Sequence, residues 1–127
     1  MMPRFIDMPF ADDMAEAIVN GVEMPDGRRV FKRWTARYKP KGRPGDIFDV
    51  RFQCYRITRV FRMKLGEVAD HYELEGFKSK QEFIERWKRI HPEKGFNPED
   101  FVWVHEFEIE PHARIERFTG YEKSEEI

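Results

Sequence analysis

The sequence predicts a mixed α/β (α+β) domain built on a largely antiparallel sheet or small barrel, and three observations carry that reading. Phe48, Val50 and Phe52 alternate with Asp49 and Arg51, the period-two pattern of a half-buried strand. Phe10, Met14, Ala17 and Ile18, and later Phe83, Ile84, Trp87 and Ile90, recur at helical spacing. Several strand-like runs follow one another through short turns, which favours antiparallel pairing with the helices set to one side.

The elements follow in order. Phe5, Ile6 and Met8 suit a short opening strand. The first helix takes Asp12 or Asp13 as its cap, Glu16 as first-turn support and Gly21 as its stop. Met24-Pro25-Asp26-Gly27 reads as a turn. Residues 30–38 are aromatic and basic and suit a strand; Pro40, Gly42, Pro44 and Gly45 make 39–45 a loop. The strand of Phe48, Val50 and Phe52 comes next, and 55–63 forms another. Leu65, Val68 and Tyr72 predict a short helix. Ser79 with Glu82 makes a capping box for the helix of Phe83 and Trp87. Residues 101–109 close the sheet, with Phe101, Trp103, Phe107 and Ile109 on one side, so Trp87 and Trp103 are both expected to be buried. Residues 1–118 read as one domain and 119–127 as a flexible acidic tail.

Composition narrows the function. A chain of 127 residues that is 40% hydrophobic and 15% aromatic can build one core, which excludes disorder throughout despite 37% charge. No apolar run approaches the ~20 residues of a membrane span, and Met1-Met2-Pro3-Arg4-Phe5 lacks a signal-peptide stretch, so a cytoplasmic protein is expected. Amides are scarce (Asn20, Asn97, Gln53, Gln81), a composition resembling that of heat-adapted proteins. The net charge of −1 conceals an asymmetry. Residues 28–64 hold 13 Lys/Arg against Asp46 and Asp49, a balance of +11, whereas the remaining 10 Lys/Arg and 22 Asp/Glu give −12. Such a segment points to an anionic partner; the plainer alternative is that its arginines pair with the acidic flanks across the fold.

Most catalytic signatures are missing. His71, His91, His105 and His112 have no metal-ligand spacing and Cys54 is the lone cysteine, so no metal and no cofactor is expected. Cys54, between Gln53 and Tyr55 in a strand, reads as a small buried thiol, and His105 as a satisfied core histidine. There is no glycine-rich phosphate loop and no Gly-x-Ser-x-Gly turn. The segment Lys32-Arg33-Trp34-Thr35-Ala36-Arg37 is richer: a strand starting near Trp34 puts Thr35 and Arg37 on one face, with Lys32 able to turn toward them. A basic edge that discourages aggregation is the plainer alternative.

Lys32-x-x-Thr35-x-Arg37 resembles the basic motif of ASCH domains, a branch of the PUA-like superfamily. Pro44-Gly45-Asp46-Ile47-Phe48, Glu75-Gly76-Phe77, the Glu82-Phe83-x-x-x-Trp87 helix and Val102-Trp103-Val104-His105-Glu106-Phe107 follow in the order that family shows, covering residues 5 to about 109. The family glycine lies two residues before the lysine, whereas here Gly21 precedes Lys32 by eleven, and 22–31 reads as an inserted hairpin or loop. The resemblance implies a PUA-like small β-barrel with flanking helices and a cleft between them that binds RNA or a nucleoside or nucleotide ligand. Lys32, Arg33, Arg37, Lys39, Lys41 and Arg43 would then contact phosphates, and Tyr38 is the aromatic expected to be exposed for stacking. One bacterial branch hydrolyses the acetyl amide of N4-acetylcytidine with a lysine, a threonine and a glutamate, which match Lys32, Thr35 and Glu75; another ASCH protein is similar to a ribonuclease. In the hydrolase alternative Lys32 serves as base only if neutral. Nearby arginines and burial favour that state and Glu75 opposes it.

Overall fold

The computed structural model describes residues 2–111, so His112 and the acidic stretch 119–127 lie outside the described residues. Its elements are α1 (Asp12–Val19), β1 (Val22–Glu23), β2 (Arg29–Val30), β3 (Trp34–Arg37), β4 (Ile47–Val50), β5 (Gln53–Lys64), α2 (Leu65–Asp70), α3 (Lys80–Ile90) and β6 (Phe101–Ile109). Four strands form one antiparallel sheet in the order β3-β6-β5-β4, curled into a half-barrel with helices around it. β1 and β2 pair as a separate small hairpin, which is the insertion expected at 22–31. Among the described residues no helix is long and apolar enough to cross a membrane.

Local chemistry sets the helix ends. Ala11, extended and without a side-chain cap, precedes α1, so Asp12 and Asp13 are not the cap. They occupy the first turn instead, where their charges face the positive end of the helix dipole. Gly21, at φ +80°, takes the left-handed conformation just past α1 that other residues avoid. Ser79 Oγ accepts from the Glu82 N–H at 3.1 Å and opens α3, whose Phe83 and Trp87 are buried in the core.

Three expectations need correction. The opening strand reduces to a single parallel bridge, Phe5 to Ile47, because Pro3 and Pro9 bound the segment and remove ladder donors. The strand containing Phe48 ends at Val50. Arg51 and Phe52 (φ +48° and +72°) form the two-residue turn that pairs Val50 with Gln53, leaving Phe52 65% exposed. This turn has no Gly or Asn to announce it; Arg51 holds it by donating to Glu16 Oε1 at 2.6 Å and to Asp12 O at 3.1 Å. In β6, Phe101 and Ile109 are exposed and Trp103 is only half-buried, while Val102, Val104, His105 and Phe107 are buried. As an inner strand of the sheet, β6 is covered on both faces at its centre, and its end residues are exposed. An extra residue in β5 between Ile57 and Arg59 also shifts the register.

Trp87 is 1% exposed and packs against Phe83 and Tyr38. Trp87→Ala is therefore expected to cost about 3–5 kcal/mol in chemical denaturation. Trp103→Ala costs less, because its ring is only partly buried; equal losses would contradict this packing.

Candidate functional site

Lys32 precedes β3 and Glu75 follows α2, and the fold brings the two together in the interior, both 0% exposed. Lys32 Nζ donates to Trp34 O at 2.7 Å, to Glu75 O at 2.9 Å and to Glu75 Oε1 at 3.4 Å, which occupies all three ammonium hydrogens. Glu75 Oε2 is buried without a hydrogen-bond partner. Gly76, at φ +93°, lets the chain pass this close: a Cβ there would lie 3.2 Å from both Cβ and Cδ of Lys32. Burial lowers Lys32 to about 8; Glu75 opposes that shift, and Arg37 and Arg86 add to it. Burial likewise raises Glu75, against Lys32 and Arg37. Both shifts move the pair toward its neutral form.

Thr35 and Arg37 share a face of β3, as alternation requires. Arg37 Nε donates to Thr35 Oγ1 at 3.1 Å and Nη2 donates to Pro9 O at 3.0 Å. The hydrogen bonds of Lys32 go to Trp34 and Glu75, so the lysine and glutamate meet while Thr35 is held by Arg37. His105, the cross-strand partner of Thr35, is fixed as a single tautomer: Nε2 accepts from the Lys41 N–H at 2.9 Å, which leaves Nδ1–H to donate to Thr35 O at 3.0 Å. Burial keeps its pKa below the ordinary value, so it is a neutral core histidine that anchors the 39–41 loop.

The loop so anchored closes a cleft of about 270 Å³ against the end of α3, lined by Arg37, Tyr38, Lys39, Lys41, Ile90 and His91 among others. No carboxylate lines it, while Lys39 and Lys41 are exposed. Tyr38 is half-buried: its ring packs edge-on to His91 at 5.0 Å, and Lys94 Nζ lies 4.1 Å from its centroid. Of the residues expected to meet an anion, Arg37, Tyr38, Lys39 and Lys41 thus line one cleft. Lys32 is sealed in the core. Arg33 donates to Ile18 O and Lys32 O and stacks on Phe31 and Tyr55, so it caps the C-terminal end of α1. Arg43 is exposed and does not line the cleft. The sequence reading missed His91 as a cleft residue, since it stood out only as a histidine, and missed Lys94 over the Tyr38 ring. Among the described residues no group of three or more His, Cys, Asp or Glu could hold a metal ion.

The architecture is that of a small α+β domain in which a curled antiparallel sheet meets a helix at a cleft. No family model and no curated protein matches the sequence. Solved structures do match, two of them as follows. An ASCH domain from Lactobacillus crispatus JV V101 matches at 18% identity and TM-score 0.58, over 84% of this chain and 79% of that one. A DUF984 protein from Enterococcus faecalis V583 matches at 18% identity and TM-score 0.52, over 87% and 77%. The chain has an ASCH-domain fold, consistent with the PUA-like architecture.

The buried pair generates a pH prediction. Because the folded pKa of Lys32 lies below its unfolded value of 10.5, the unfolded chain binds more protons between about pH 8 and 10.5. Stability from this group therefore rises with pH across that window, by at most about 1.4 kcal/mol per unit. Urea denaturation of wild type against the Lys32→Met/Glu75→Gln double variant isolates the slope, since the variant lacks it. The double variant is expected to be about as stable as wild type at neutral pH, whereas Glu75→Gln alone costs about 3–5 kcal/mol.

Proposed function

We propose that this domain binds RNA or a nucleotide-like ligand in the cleft between β3 and α3. The observation that carries the proposal is the lining: exposed Lys39 and Lys41, with the buried Arg37 behind them, line the cleft with no carboxylate among them, beside the rings of Tyr38 and His91. Exposed lysines attract phosphates, and the Tyr38 and His91 rings offer a base an aromatic wall. The volume lies just below the roughly 300–1,000 Å³ of drug-sized ligand sites, a scale suited to one nucleoside. The ASCH-domain fold agrees with this reading, although fold alone does not assign an activity.

The alternative, hydrolysis of an acylated nucleoside such as N4-acetylcytidine, draws support from the depressed pKa of Lys32 beside Glu75. Against it stand the burial of all three residues at 0% exposure and the engagement of every Lys32 hydrogen by carbonyl or carboxylate oxygens. A nucleophile must reach the carbonyl it attacks, and Thr35 Oγ1 is enclosed beside Arg37. Ribonuclease activity has no residue signature here beyond the basic groups.

Two measurements test the reading. RNA affinity should fall steeply with salt, and the Lys39→Gln/Lys41→Gln variant should bind more weakly and flatten the salt slope by about two, one for each phosphate no longer neutralised. Affinity that is absent at low salt or indifferent to salt overturns the binding proposal. Incubation with N4-acetylcytidine should release no acetate; release that Thr35→Ala abolishes while RNA binding persists would install the hydrolase in its place.

A further inference from the structure

We propose that the open end of the sheet, formed by Phe101 and Trp103 of β6 with Arg62 of β5, is a stacking platform for single-stranded RNA. This rests on the nucleic-acid reading above and names the form of RNA recognised. The cross-strand register aligns Arg37, Trp103 and Arg62 directly opposite one another across three strands, and residues so paired present their side chains to the same face. The Arg37 guanidinium is buried and turns to Thr35 Oγ1 and Pro9 O, so the exposed part of this face is made by Arg62, Trp103 and Phe101. Phe101, two residues from Trp103, shares that face and is 50% exposed, while Trp103 is half-buried.

Charge selects the occupant. The other long cations of β5 are engaged by acids: Arg56 by Glu108 and Glu110, Arg59 by Glu106 and Lys64 by Glu99. Arg62 has no acid partner among the described residues. Its guanidinium lies 4.5 Å from the centroid of Phe101 and 5.9 Å from that of Trp103, and its N–H donors remain available for an anion. Of the acids beside Phe101 in the chain, Glu99 pairs with Lys64 and Asp100 accepts a hydrogen bond from the Tyr38 hydroxyl, so neither is bound to Arg62. A half-exposed aromatic pair under an unpaired arginine suits a ligand that has both flat apolar groups and phosphates.

Spacing selects the strand. Phe101 and Trp103 lie about 6.7 Å apart along β6, twice the strand rise. That is near twice the separation of stacked bases, so the platform suits bases splayed from an extended single strand, and a duplex keeps its base faces stacked away from it. A phosphate that draws Arg62 off the rings leaves both aromatic faces for bases.

The test follows a fluorescein-labelled oligouridylate by anisotropy and by intrinsic tryptophan fluorescence. Phe101→Ala and Arg62→Gln, both at exposed positions, should each weaken binding about fivefold or more. The oligouridylate should quench emission from Trp103, since Trp34 and Trp87 are buried; Trp103→Phe should remove the quenching while binding stays within about twofold. A base-paired RNA hairpin should not distinguish wild type from Phe101→Ala. Unchanged affinity in Phe101→Ala and Arg62→Gln, with binding abolished in Lys39→Gln/Lys41→Gln, overturns the platform and leaves the cleft reading standing. Wild-type protein that fails to bind the strand overturns both. A dimer that Phe101→Ala converts to monomer, with RNA affinity intact, would make this face a self-association surface and overturn the platform.

Discussion

The Lys32–Glu75 contact is the point at which the parts of this domain are tied together. Lys32 N donates to Ala17 O of α1, its ammonium bonds to Trp34 O of β3, and both its polar reach and its close packing meet the 74–76 segment that follows α2. Arg33 N and Trp34 N donate to Leu74 O beside it. Removing two charges from water is costly, and such a pair holds only where geometry and further hydrogen bonds offset the loss. Two backbone carbonyls supply that here, and the 3.4 Å separation with an unpartnered Glu75 Oε2 shows the offset to be partial.

A second constraint follows from the charge distribution. Seven of the thirteen cations of the basic segment are engaged by acids that come before or after it in the chain: Arg28 by Glu73, Arg29 by Glu23, Lys32 by Glu75, Arg51 by Glu16, Arg56 by Glu108 and Glu110, Arg59 by Glu106 and Lys64 by Glu99. Exposed pairs of this kind stabilise weakly, but they neutralise the surface over much of the sheet. Of the other six, Lys39, Lys41, Arg43 and Arg62 are exposed, while Arg37 is buried and Arg33 is partly buried. The surface that can receive an anion is therefore much smaller than a balance of +11 suggests.

The loop that walls the cleft is itself set by interior chemistry. His105 accepts from Lys41 N–H and donates to Thr35 O, so a neutral imidazole fixes the distance between loop and sheet. A change to that histidine would reach the cleft without touching any ligand. The core thus positions the binding surface through hydrogen bonds rather than through packing alone.

The sequence by itself determined the elements whose signals are local. Ser79 and Glu82 with the spacing of Phe83 and Trp87 located α3, Gly21 stopped α1, and the ordered motifs from Lys32 to Phe107 indicated the ASCH-type fold. The Lys32–Glu75 partnership was legible only through resemblance, since 43 positions separate the two. Tertiary structure alone decided the rest. The Arg51-Phe52 turn depends on Glu16 and Asp12, far earlier in the chain, and no glycine marks it. The inward residues of β6 depend on its central place in the sheet and on an extra residue in its neighbour, neither of which its own alternation encodes. Which cations stay free depends on which acids fold against them: composition counts charges, but only contact across the sheet distinguishes Arg62, left over its aromatic rings, from Arg59, bound to Glu106.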